Sequence, residues 1–365
     1  MTHKSPVIDI HQHYLPHQPH WHNEVWQTSL YHESRVQGYA DVGRVIAVMD
    51  DAGVDQIVWQ GEYLRHMEHC VARNSRVLDA RKHNPQRLSA FAMVQPDHPA
   101  AITEIARCYD AGMRGVGELN PVAQQFSLRS MNFLRCAEYC AQHTIPMLFH
   151  VNEPVGPAYP GKVDMPMWAF YELAERFPEL PIILAHWGGG LWFYEQMPSV
   201  RRVLQNVFYD TAASWFTYPD THKMMQMAML VVPNKIVFGS DFPLKRTVEG
   251  PPNLAPWLHE IREATASEWR NHVVGSTAYA LLNAPSGDAR VPNIRSLRIV
   301  DLRTSVVWLV ETYPAADTIL QQWSIHVTAS TPWWQSIAHA AVSAGHHSSQ
   351  HAQLLVELRQ HLGLD

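Results

Sequence analysis

The sequence predicts an α/β fold: a (β/α)8 TIM barrel followed by a small, mainly helical C-terminal domain. Three observations carry this. Short apolar, β-branched runs alternate with amphipathic stretches along most of the chain. Polar residues that apolar strands normally exclude stand at the C-terminal ends of those runs. A length of 365 residues leaves room for a barrel of roughly 250 residues and an appendage.

Eight strand-like runs fall at 7–13, 56–60, 88–95, 115–120, 147–152, 182–187, 207–212 and 236–241. Between them, 41–52 (DVGRVIAVMDDA), 131–143 and 166–177 carry apolar residues at helical spacing. Gly53 and Gly112, each after an alanine, suit left-handed caps that end a helix before the next strand. Eight alternating units favour a closed parallel barrel over a doubly wound sheet. Segment 269–282 reads as the helix that closes it. The expected organisation is therefore a barrel over 1–283, a linker over 284–296 and a helical accessory domain over 297–365. The linker region carries the Pro/Gly/Ser-bearing run NAPSGDARVP. In the accessory domain, helices are expected within 305–323, broken at Tyr313-Pro314, and over 333–344 and 350–362. The last of these places Leu354, Leu355, Leu358 and Leu362 on one face.

Composition narrows the function. A hydrophobic fraction of 46% permits a large core, and a formal charge of -6 with no basic arm argues against a nucleic-acid partner. No apolar run approaches the ~20 residues of a membrane span, and the N-terminus does not read as a signal peptide. Cys70, Cys108, Cys136 and Cys140 form no CxxC pair and read as buried free thiols in a reducing compartment. A cytoplasmic protein is expected.

The chemistry-bearing residues follow strand geometry. Side chains two apart on a strand point the same way, so His11 and His13 of the DIHQH run both enter one barrel mouth. His150 ends an apolar run, LFHVNE. His186 ends another, ILAHWGGG, whose glycines let the loop turn beside the imidazole. Asp241 follows IVFGS, where a buried carboxylate needs a cation or hydrogen-bond donors. Glu118 ends the fourth run. Neutral imidazoles and carboxylates are the ligands that catalytic zinc sites use. The loop after the fifth run offers Glu153, Tyr159 and Lys162 as substrate contacts, with Lys162 suited either to a substrate carboxylate or to solvent. Trp187, Trp192 and Phe242 suit either a pocket wall or rim packing, and His17, His20 and His22 read as loop residues.

The order HxH on the first strand, His on the fifth, His on the sixth and Asp on the eighth resembles the amidohydrolase superfamily, specifically its amidohydrolase-related branch. The resemblance runs from Val7 to about Leu282 and includes VVGSTAYALL at 273–282, where the family motif often has Asn in place of Thr277. It implies that His11, His13, His150 and Asp241 hold a divalent metal, Zn2+ first and Mn2+ second, and that His186 binds a second ion or polarises the substrate. It also implies that Asp241 takes a proton from a metal-activated water, since a divalent ion lowers the pKa of bound water to about 7. Many binuclear relatives use a carboxylated lysine on strand four. Glu118 stands in that region; as a ligand it suits a binuclear centre, and as an acceptor behind the ligands or a substrate contact it leaves a mononuclear zinc site.

The tail at 302–362 resembles the small helical domain of iron–sulfur-cluster repair proteins and the redox-disulfide domain of hybrid-cluster proteins. It has His326-Val327-Thr328-Ala329 where those modules carry cysteines, so it is expected to serve homo-oligomerisation or docking rather than redox chemistry. The function expected is hydrolysis of a C–O or C–N bond in a small molecule, with nonoxidative decarboxylation on the same metal site as the alternative. A scaffold role would require a degraded site, and a nuclease role conflicts with the acidic charge.

Overall fold

Eight strands run in the order β1 (Ile8–His13), β2 (Gln56–Gln60), β3 (Leu88–Ala90), β4 (Val116–Leu119), β5 (Met147–Phe149), β6 (Ile182–Leu184), β7 (Val207–Asp210) and β8 (Ile236–Val237) in the computed structural model. It describes residues 5–16, 38–159, 161–283, 300, 302, 304, 306–332 and 335–362. The expected linker, Trp333 and the loop histidines 17, 20 and 22 lie outside the described residues.

All pairings are parallel: β1-β2-β3 form one ladder and β4 to β8 another, each strand beside its neighbour in sequence. Two parallel bridges join the ladders into a closed ring, Ala92 with Val116 and Gln12 with Phe242. Backbone bonds from Ile10 N to Phe238 O (3.0 Å) and from His13 N to Phe242 O (2.7 Å) complete the β8–β1 seam. The fold is thus the α/β barrel that the alternation of elements predicts.

Helices return the chain from each strand to the next: α1 (Val42–Ala52), α2 (Met67–Arg81), α3 (Ala101–Asp110), α4 (Met131–Gln142), α5 (Met167–Arg176), α6 (Pro198–Val203), α7 (Thr221–Val231) and α8 (Ala255–Ala264). The cap of α1 is as expected: Asp41 accepts from Arg44 N at the start, and Gly53 ends the helix at φ 66°. A final helix, α9 (Thr277–Leu282), contributes Ala278, Leu281 and Leu282 to the buried cluster that holds Ile8, Ile10, Val58, Leu148, Ile183 and Val237.

The observed strands are shorter than the apolar runs, most clearly at β8, where two residues pair and the expected strand reached 241. His186 (φ 55°) and Asp241 (φ 58°) are left-handed, which a ladder does not accommodate. Both side chains therefore stand on turns just past their strands.

The chain divides into two compact units, Met1–Phe126 with Cys136–Pro292, and Ser127–Arg135 with Asn293–Asp365. The second contains α10 (Val306–Thr312), α11 (Ala316–Gln322), α12 (Ile337–Ser343) and α13 (Ser348–Leu362). Its core joins Val306, Leu309, Leu320, Ile337, Leu354 and Leu358, with Met131, Leu355 and Leu362 packed against it. The expected apolar face of the last helix is thus the buried one. That 127–135 belongs to this unit was not foreseen, because nothing local in that stretch marks it.

Arg73 of α2 fixes the helix to the ends of β2 and β3. It is fully buried, donates to Glu62 from Nε (3.0 Å), to Phe91 O from Nη1 (3.0 Å) and to Gln60 O from Nη2. Arg73→Ala is expected to cost about 3–5 kcal/mol, because it strands the buried Glu62 carboxylate; urea unfolding measures this, and a loss below about 1 kcal/mol contradicts it.

Candidate metal centre

β1 delivers two imidazoles to the barrel mouth. The β1–β2 register shifts between Asp9 and Gln12, and the β4–β5 register shifts between Val116 and Leu119. Such irregularities re-aim a side chain, and these two fall on the segments bearing His11 and Glu118. His11 and His13 are buried with their Nε2 atoms 3.3 Å apart. Asp241 Oδ1 lies 3.2 Å from His13 Nε2 and 3.9 Å from His11 Nε2. Across the mouth, His150 Nδ1 is 3.2 Å from His186 Nε2.

Glu118 joins the two groups. Its Oε2 is 3.4 Å from His11 Nε2 and 3.6 Å from His13 Nε2, while its Oε1 is 3.0 Å from His150 Nδ1 and 3.8 Å from His186 Nε2. Two donor triads result, His11–His13–Asp241 and Glu118–His150–His186, each with its donor atoms within 4.8 Å of one another. All six residues that the sequence nominated as ligands are therefore brought together.

A surrounding set of hydrogen bonds turns each ring. His11 Nδ1 donates to Asp210 Oδ2 (2.7 Å), leaving Nε2 as an acceptor facing inward. His186 Nδ1 donates to Ala212 O (2.7 Å), with the same consequence. His150 is reversed: its Nε2 meets Asn152 Oδ1 and Gly161 O (both 3.1 Å), so Nδ1 faces the site. Tyr63 donates to Glu118 Oε2 (2.7 Å), and its hydroxyl lies 2.8 Å from His150 Nδ1. Sequence reasoning missed Asp210, Tyr63 and Asn152. Asp210 had a readable signal, a carboxylate closing the apolar run VFYD; Tyr63, beyond the end of β2, had none.

Charge shows how this cluster accommodates buried carboxylates. Burial alone would raise the Glu118 carboxyl, but the His11 and His150 imidazoles outweigh it and hold it well below the usual carboxylate range. Burial likewise opposes a charged His11, yet Glu118 and Asp210 lift it well above the ordinary imidazole value. His150 is raised against burial by Glu118, whereas burial and the neighbouring His150 lower His186. Asp241 is lowered, its burial overcome by the hydrogen bond with His13 and the charge of His11. Buried carboxylates here are balanced by protons on imidazoles, and a divalent cation supplies the same charge. Four imidazoles and two carboxylates gathered in this way are a donor set that fits a divalent cation.

The loop after β5 is tied to itself. Asn152 Nδ2 donates to Tyr159 OH (2.9 Å), Tyr159 donates to Glu153 Oε2 (2.9 Å), and Lys162 Nζ pairs with Glu153 Oε1 (3.2 Å) while donating to Gly156 O and Pro157 O. Lys162 is therefore neither solvated alone nor presented as a bare cation. Trp187, Trp192 and Phe242 are all buried, Trp187 at 1% exposure, as either a pocket wall or rim packing would be.

Fold and site together define a metal-dependent barrel enzyme. The chain belongs to the amidohydrolase family, whose sequence profile matches residues 8–284. No curated protein matches it. Solved structures share the barrel. A 2,6-dihydroxybenzoate decarboxylase from Rhizobium matches at TM-score 0.56 and 16% identity over 76% of this chain and 98% of its own. A dihydroxybenzoic acid decarboxylase from Polaromonas sp., with bound manganese and the inhibitor 2-nitroresorcinol, matches at 0.57 and 15%, over 76% and 97%. A probable 2-pyrone-4,6-dicarboxylic acid hydrolase from Acinetobacter baumannii, with citric acid bound, matches at 0.52 and 16%, over 76% and 98%. Among the described residues no helix is long and apolar enough to cross a membrane.

The glycines after His186 have a definite role. Gly189 sits at φ 61°, and a Cβ there would stand 2.4 Å from Asn152 O, on the residue that holds His150. Gly189→Ala is expected to destabilise the fold by about 1–3 kcal/mol through the left-handed backbone and the backbone clash; chemical denaturation checks this, and an unchanged midpoint contradicts it.

Proposed function

We propose that the protein is a metal-dependent hydrolase of a C–O or C–N bond in a small molecule such as a lactone, ester or amide. The observation that carries this is Asp241, a buried carboxylate held anionic 3.2 Å from His13 and in the same triad as His11. His11, His13 and Asp241 would hold one divalent ion and His150, His186 and Glu118 a second, with Glu118 facing both. When bound, the ion supplies Lewis acidity and a water acidic enough to react near neutral pH. The chain's residues do the rest. Asp241 accepts the proton of the attacking water and returns it to the departing oxygen or nitrogen as the scissile bond breaks. Asp210 and Ala212 O hold His11 and His186 with Nε2 turned inward.

A second reading, nonoxidative decarboxylation, is favoured by the shared fold with the Rhizobium and Polaromonas decarboxylases. In that reading the metal itself would hold the substrate carboxylate, and Lys162, paired with Glu153, is not offered as a bare cation beside it. Hydrolysis is the reading we put first, because Asp241 is a buried carboxylate placed to take a proton from water. The C-terminal helices are proposed as a self-association module, for which light scattering of the full chain is expected to report more than one copy.

Three outcomes are expected. Purified protein carries zinc or manganese by mass spectrometry, and His13→Ala loses it; metal-free protein whose activity does not respond to either ion refutes the reading. Asp241→Asn, isosteric with the wild type, lowers turnover on a responsive lactone, ester or amide by ~10²–10⁴-fold, whereas carbon dioxide release from aromatic acids without hydrolysis would transfer the assignment to the lyase. Metal binding releases protons and weakens as pH falls, because the imidazoles of His11 and His150, whose proton affinities are raised, must lose their protons first. Calorimetry in buffers of different ionisation enthalpy reads this, and a buffer-independent heat contradicts it.

A further inference from the structure

One carboxylate touches both donor triads without belonging to either. Asp210, at the end of β7, is fully buried. Its Oδ2 accepts from His11 Nδ1 at 2.7 Å. Its Oδ1 accepts the backbone N–H groups of His186 (2.9 Å) and Ala212 (3.0 Å). Ala212 in turn accepts from His186 Nδ1 through its carbonyl at 2.7 Å. The same side chain thus turns the His11 ring and clamps the left-handed turn on which His186 stands.

We propose that Asp210 is a positioning residue that sets the tautomer of His11 and, through the His186 turn, fixes the spacing of the two triads. This rests on the metal-site reading above. The argument is one of donor counting. Three N–H groups converge on Asp210, and a carboxylate accepts from all three because both its oxygens are acceptors only. An asparagine of the same shape has one acceptor oxygen and one amide nitrogen. If the oxygen serves the two backbone N–H groups, the amide faces His11 Nδ1, and the ring is driven to carry its proton on Nε2, where the lone pair is needed. If the oxygen serves His11, the amide opposes two backbone donors and the His186 turn loses its clamp. Either way one triad is spoiled, although Asp210 itself contacts no metal.

The test compares wild type with Asp210→Asn in the full chain, folding being checked by circular dichroism. Binding of zinc or manganese, measured by competition with a chromogenic chelator, is expected to weaken ~10–100-fold in the variant; affinity within twofold of wild type overturns the proposal. A long-range nitrogen–proton spectrum of 15N-histidine-labelled wild type supplies a measurement independent of the variant's folding. In the zinc-loaded protein it is expected to show His11, assigned by loss of its signal in His11→Gln, protonated at Nδ1 alone. Protonation at Nε2 in the metal-loaded protein overturns the proposal. If wild type itself binds neither ion, the metal-site reading fails; if wild type binds and Asp210→Asn binds equally well, only the role of Asp210 fails.

Discussion

Burial of the Glu118 carboxylate among four imidazoles is the constraint on which the rest of this structure turns. A buried anion is costly unless charge and hydrogen bonds compensate it. Glu118 meets that demand in several directions at once, with histidines on either side of it and the Tyr63 hydroxyl on one oxygen. Much else in the upper barrel follows. The strand irregularities lie where His11 and Glu118 must converge, and left-handed turns beyond β6 and β8 carry His186 and Asp241. The outer hydrogen bonds hold the rings so that their lone pairs face the same small volume.

The arrangement is layered, and each layer answers a cost set by the one inside it. Inward nitrogens require protonated outward nitrogens with acceptors, which Asp210, Ala212 O, Asn152 and Gly161 O provide for three of the rings. Those acceptors must themselves be fixed. Asp210 is held by two backbone amides, and Asn152 by the N–H of Val163 and the Tyr159 hydroxyl. Asp9 has a related task at the β8–β1 seam. It accepts from Ser240 N (2.9 Å), from the Ser240 hydroxyl and from Gln12, so the strand carrying His11 is registered against the turn carrying Asp241. Burial pushes the Asp9 carboxyl up to about 6, with these hydrogen bonds opposing the rise.

Much of this was legible in the chain. Alternating apolar and amphipathic stretches gave the element order, and parity along β1 gave the shared direction of His11 and His13, since both depend on spacing alone. The caps at Gly53 and the break at Tyr313-Pro314 were equally readable, because the conformational limits of glycine and proline are local. Tyr63 was not. It stands three residues beyond β2 with no flanking pattern, and its importance comes entirely from two residues 55 and 87 positions away. The pairing of Lys162 with Glu153 was hidden for another reason: a loop lysine has several partners within reach, and only the path of the loop selects one.

The sequence by itself determined which side chains are able to bind a cation and the strand ends from which they project, because residue chemistry and strand parity are properties of the linear chain. Tertiary structure alone decided how those side chains are grouped. Ring closure between Gln12 and Phe242 and between Ala92 and Val116 sets the distances across the mouth. Those distances turn one Glu118 oxygen to each histidine pair and put Asp210 behind both triads. Contacts between residues separated by a hundred positions or more are fixed by the closed barrel, and no local pattern in the chain encodes them.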